Sequence, residues 1–151
     1  MIPLAKKATP AAIAVLRQAT AHYPKRMKAS DGLLPSAAHV HQNPNSDHNS
    51  GYAVDLTHDI AGGIDCNVIF EKLQSDPRVE YLIFKGKVWS VIKGLHVYKG
   101  VNKHTKHLHI SIKKNSGDNT SPWFPWLPKP KTINKVKASL PKSLPKKKEA
   151  K

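Results

Sequence analysis

Apolar and polar residues recur along this chain with two different periods. Thr9 followed by Pro10 is a helix N-cap and first-turn signal, and Ala12, Val15, Leu16, Ala19 and Tyr23 then fall at helical spacing until Pro24 stops the run. That spacing predicts a core-facing helix. Residues 30–51 carry Gly32, Pro35, Asn43, Pro44, Asn45, Asn49 and Gly51 around His39, His41 and His48, which is loop chemistry rich in metal-capable side chains. From Gly51 the period becomes two, with Tyr52, Val54 and Leu56 on one face and Ala53, Asp55 and Thr57 on the other, the mark of a half-buried strand. After Gly62 and Gly63, Asp65 is placed to cap a second helix whose apolar face is Cys66, Ile69, Phe70 and Leu73. Val79, Tyr81 and Ile83 alternate with Glu80, Leu82 and Phe84, and Lys85–Gly86–Lys87 turns the chain into Val88–Ile92, the layout of a β-hairpin. In a last strand, His107–Ile112, Leu108, Ile110 and Ile112 face one way and His107, His109 and Ser111 the other. Helices mixed with short strands predict an α+β fold, a small antiparallel sheet with the helices on its apolar face.

Composition adds a tail to this picture. The 151 residues suit one domain with an extension, and 12 prolines against 8 glycines point to a part of the chain that does not pack. Residues 126–151 hold nine lysines and one glutamate, so +8 of the formal +15 lies there and only +7 in residues 1–125. The expectation is a folded body over 1–125 and a disordered or extended basic tail over 126–151, suited to anionic polymer or membrane surface. The single cysteine, Cys66, excludes an internal disulfide and a thiolate-built zinc site; it reads as a core residue. No run approaches the roughly 18–20 apolar residues of a membrane span, and Pro10–Leu16 is too short a stretch, too soon broken by Arg17, for a secretory signal.

The candidate chemistry starts from Asp55. A carboxylate in the middle of an apolar strand is costly to desolvate unless a cation or several donors neutralise it. His48 lies seven residues upstream at the end of the loop and His109 comes from a second strand, so three ligands from two segments can converge on one ion. Two histidines and a carboxylate, with a fourth position left to water, is the composition of a catalytic zinc site.

The stretch Ser46-Asp47-His48-Asn49-Ser50-Gly51-Tyr52-Ala53-Val54-Asp55 resembles the S-x-H-x-x-G-x-A-x-D signature of the zinc D-Ala-D-Ala metallopeptidases and related phage peptidoglycan endopeptidases, and His107-Leu108-His109 matches their H-x-H. This is the family grouped with lysostaphin and the hedgehog signalling domain. The similarity runs from the first helix through about Ile112 and takes in Ser30-Asp31-Gly32, Leu56-Thr57-His58-Asp59 and His104-Thr105-Lys106-His107. The resemblance implies a hedgehog/DD-peptidase-like fold, makes His48, Asp55 and His109 the ligands of one zinc ion per chain, and sets His107 beside it as a catalytic imidazole. Dipeptidases and several phage endolysins of the family carry an acidic base three residues before the last ligand, where this chain has Lys106. Instead, His104, His107 and His109 reproduce an H-x-x-H-x-H spacing similar to that of the family's murein endopeptidases. An imidazole, with an ordinary pKa near 6.5, takes a proton from water at neutral pH and returns it to a leaving amine. His107 is the first choice for that role and His104 the second.

The implied activity is metal-assisted hydrolysis of an amide bond in peptidoglycan stem peptides or cross-links by a monomeric, endolysin-like metallopeptidase, an endopeptidase or a carboxypeptidase. It is expected to be made in the cytoplasm and to reach the wall through a pore or as part of a virion. Two other classes compete. Histidine–hydrophobic–histidine on a strand also occurs in single-strand nucleases with a tyrosine nucleophile, here Tyr98, but that reading leaves Ser46–Asp55 unexplained. A catalytically inactive, zinc-containing wall-binding module is the other. Around the site, His39 and His41 are candidates for substrate contact, and His58 and Asp59 for capping the strand or supporting Asp55. Trp123, Phe124, Pro125 and Trp126 are expected to dock on the core rather than to bind sugar.

Overall fold

The computed structural model describes residues 8–33, 47–100 and 103–129. Over these residues the chain folds as helix α1 (Pro10–His22), strand β1 (Ala53–Thr57), helix α2 (Cys66–Lys72), and strands β2 (Val79–Phe84), β3 (Lys87–Ser90), β4 (Gly94–Val97) and β5 (His107–Ile112). The five strands form one open antiparallel sheet in the order β1-β5-β2-β3-β4, so the last strand inserts between the first two. The architecture is α+β, as the alternation of periods predicts.

The local signals act as read. The Thr9 hydroxyl accepts the N–H of Ala12 with Pro10 in the first turn of α1, and the Asp65 carboxylate accepts the N–H of Asn67 at the start of α2. Both helices turn their apolar stripes, Ala11, Ala12, Val15 and Ala19 on α1 and Cys66, Ile69 and Phe70 on α2, into one core with Val54, Leu56, Leu108, Ile110 and Ile112 from the back of the sheet. The β2–β3 turn has positive φ at Lys85 (48°) and Gly86 (77°), the backbone that a two-residue loop needs to match strand twist.

Two features depart from the sequence reading. The second strand of the hairpin ends at Ser90 rather than Ile92, and a further strand, β4, follows on the open edge. In β2 the register slips between Val79 and Tyr81, so Val79, Leu82 and Phe84 all reach the core while Tyr81 and Ile83 face the front.

The segment after β5 closes the core from below. Trp123 is fully buried and its indole N–H donates to the Ala11 carbonyl at 3.0 Å. Arg78, 4% exposed, stacks 3.6 Å over that ring, pairs with Asp76 at 2.7 Å and donates to the carbonyls of Asn119, Ser121 and Pro122. The aromatic cluster docks, as expected, and the packing continues through Trp126 and Leu127. The remainder of the basic tail, like His39, His41 and Ser46, lies outside the described residues. Among the described residues no helix is long and apolar enough to cross a membrane.

Candidate metal centre

Strand register brings Asp55 opposite His109 and Thr57 opposite His107, so Asp55, His107 and His109 all project from the polar front of the sheet. On its other side Asp55 is held by Gly32, with N–H to carbonyl bonds of 2.8 and 3.1 Å running both ways. His48 arrives from a short 3-10 turn, Asp47–Ser50, which Gly51 ends with φ of 84°. Two segments distant in sequence thus meet on one face.

The donor atoms are close. Nε2 of His48 and Nδ1 of His109 each lie 3.3 Å from Oδ1 of Asp55, and one ligand atom from each of the three residues falls within 4.8 Å of the others. A four-coordinate ion with bonds of about 2.1 Å needs donors about 3.4 Å apart, and the two 3.3 Å separations fit that requirement. The three residues form a group that could hold a metal ion.

The atoms behind the donors fix their orientation. His48 donates its Nδ1–H to the Leu33 carbonyl at 2.7 Å, which turns Nε2 towards Asp55. His109 presents Nδ1 to Asp55 while its Nε2 meets the Ser111 hydroxyl at 2.7 Å, and Tyr81 stacks on its ring at 5.3 Å. Burial alone would push the Asp55 carboxyl up, but the hydrogen bonds and charge of His109 and His48 outweigh it and hold the group well below the usual carboxylate range. Burial likewise works to lower His48, yet the hydrogen bond and charge of Asp55 leave it raised. Tyr81 is pushed up to about 12 by burial and stays a neutral phenol.

His107 sits beside this group, its Nε2 3.6 Å from Oδ2 of Asp55, and burial lowers its imidazole below the ordinary value despite the pull of Asp55. The His104 ring lies 5.0 Å from that of His107 and 5.7 Å from that of His109. His104 adopts φ of 57°, left-handed backbone that a non-glycine residue holds at a cost, and such positions cluster where a side chain has a task. All five residues singled out from the sequence for ligation and proton transfer therefore share one site.

Other expected participants have structural tasks. His58 accepts the N–H of Cys66 at 3.1 Å and packs edge-on against Phe84, so it caps α2. Asp59 accepts from the backbone of Met27 and Gly62 and closes the turn before α2. Asp31 binds Arg26 through both oxygens and accepts the N–H and hydroxyl of Thr57, tying the Ser30-Asp31-Gly32 segment to β1. Ser111, Tyr81 and the Leu33 carbonyl were not read as site components. Ser111 shares the strand parity of His107 and His109, the one sequence signal that could have drawn it in.

No protein-family model, curated protein or solved structure matches this chain.

Proposed function

We propose that the chain is a zinc-dependent hydrolase of amide bonds in peptidoglycan stem peptides or cross-links, with the hedgehog/DD-peptidase-like fold that its motifs resemble. The observation that carries this reading is the convergence of His48, Asp55 and His109 within 4.8 Å, with two further imidazoles alongside. Two imidazoles and one carboxylate, leaving a coordination position open, make a donor set typical of catalytic rather than structural zinc. Bound there, zinc would supply Lewis acidity, polarising the scissile carbonyl and acidifying a water molecule.

The chain's own residues do the rest. Ser111 and the Leu33 carbonyl hold the two ligating rings in the tautomers that offer Nδ1 of His109 and Nε2 of His48. Neutral His107 accepts the proton of the attacking water and delivers it to the departing amine, and its protonated form stabilises negative charge on the carbonyl oxygen between those steps. His104, against the His107 ring, is the alternative carrier.

The nuclease reading fares worse on one observation. The Tyr98 hydroxyl is packed against Gly100, where even an added Cβ would collide with it, a poor setting for a nucleophile that must reach a phosphodiester. Purified protein incubated with peptidoglycan tests the proposal. Muropeptide masses should show one amide bond cut, chelation should abolish the cut, and His107→Ala should keep zinc while hydrolysis falls by about 10²–10⁴. An inert wild type that still binds wall material would instead establish the binding module.

A further inference from the structure

At the opposite end of the same sheet face lies a second feature. The cross-strand register runs Asp55, His109, Ile83, Val88, His96 from β1 to β4, one row of side chains over all five strands. At its β4 end is a pocket of about 400 Å³ lined by Val88, Lys93, His96, Val97, Tyr98 and Lys99. None of the six is acidic, and two are lysines. The pocket adjoins the histidine cluster through Tyr98, whose ring meets that of His104 at 5.4 Å. Three interstrand steps of about 4.8 Å separate His109 from His96, or roughly 14 Å. An extended peptide at about 3.4 Å per residue covers that span with four residues.

We propose that this pocket is a remote subsite that binds a carboxylate of an extended acidic peptide, about four residues from the amide held at the metal centre; the assignment of that amide rests on the function proposed above. Lys93 and Lys99 supply the charge complement, and buried Val88 the apolar floor for the peptide's stem. Among the described residues β4 has no partner on its outer edge, next to exposed Leu95 (60%) and Val97 (70%). A second copy of the chain is a poor occupant. Antiparallel pairing of β4 with its own copy would set Lys93 of one chain beside Lys99 of the other, a like-charge contact of the kind that guards exposed edges. A nucleic acid strand is also a poorer fit, because one phenol ring, Tyr98, and one imidazole, His96, line the pocket where a run of stacked bases would need more.

The test uses the full-length, zinc-loaded chain and three probes: soluble muropeptides with free carboxylates, the same muropeptides amidated with carbodiimide and ammonia, and a single-stranded oligonucleotide. In ¹⁵N-labelled His107→Ala protein, the free-acid muropeptides should shift the amide signals of Lys93–Lys99, and the amidated ones should not. In otherwise unaltered protein, Lys93→Ala/Lys99→Ala should raise KM for the free-acid substrate about three- to tenfold, change kcat less than twofold, and leave KM for the amidated substrate unmoved. Cleavage with no amide shift in Lys93–Lys99 and an unchanged KM would overturn the subsite and leave the hydrolase standing. Shifts there without any cleavage would support the subsite and remove the hydrolase. Shifts caused by the oligonucleotide and not by the muropeptide would overturn the acidic-peptide assignment.

Discussion

Asp55 and Gly32 exchange both of their backbone hydrogen bonds, at 2.8 and 3.1 Å, and a Cβ on Gly32 would sit 3.4 Å from Oδ2 of Asp55. The Asp55 carboxylate is thus braced on one side by β5 and on the other by a residue with no side chain. Gly32→Ala should be tolerated, since 3.4 Å is ordinary contact, whereas the branched side chain of Gly32→Val must press on the carboxylate. We expect Gly32→Val to weaken zinc binding by about 10–100-fold with little loss of secondary structure, measured by calorimetry and circular dichroism.

Ser111 is expected to act through His109. Its hydroxyl is 2.7 Å from Nε2 of that ring, and Ser111→Ala removes the partner without touching a donor atom. Zinc affinity should fall by about tenfold or more, and Ser111→Thr should restore most of it. An unaltered affinity in Ser111→Ala would show that Tyr81 stacking alone positions the ring.

Much of this site is legible in the sequence because its signals are local. Asp55 stands out as a carboxylate in an apolar strand, and the alternation of His107 and His109 puts both on the polar face without knowledge of any partner. Ser111 and Tyr81 were missed because their roles come from cross-strand neighbours, Tyr81 opposite Ser111 across the β2–β5 ladder, and no local period encodes that pairing. β4 was missed for a related reason. Its side chains alternate between half-exposed and exposed, so Gly94–Val97 lacks the buried face that makes a strand visible as a pattern, and its pairing with β3 defines it instead. The bulge after Val79 is equally silent, since one extra residue leaves the apolar count unchanged while reversing which residues reach the core.

Acid should unfold the protein partly through Asp31. Burial tends to raise its carboxyl, but the hydrogen bonds from Arg26 and Thr57 prevail and hold it below its ordinary value in the folded state. A folded pKa below the unfolded one means stability that is present above about pH 3.9 and lost as the pH falls through the folded pKa. Asp31→Asn should therefore cost about 1–2 kcal/mol at pH 7, allowing for solvent screening of a partly exposed pair, and the cost should shrink below pH 4. Urea denaturation of both proteins at pH 7 and pH 3 measures the difference.

Arg78→Met should destabilise the fold more, by about 2–4 kcal/mol. It removes the ion pair to Asp76, the cation over Trp123 and the donors to three carbonyls of the 119–122 segment in one change. The indole environment should report the loss as a red-shifted fluorescence maximum. A denaturation midpoint equal to wild type would mean that Trp123 burial holds the segment unaided.

The most direct test of the central claim is zinc titration of metal-stripped protein by calorimetry, in wild type and in His48→Ala, Asp55→Ala and His109→Ala. One ion per wild-type chain is predicted, with affinity reduced at least 100-fold by each substitution. Wild-type affinity in Asp55→Ala and His109→Ala, or no zinc bound by the wild type, would contradict it.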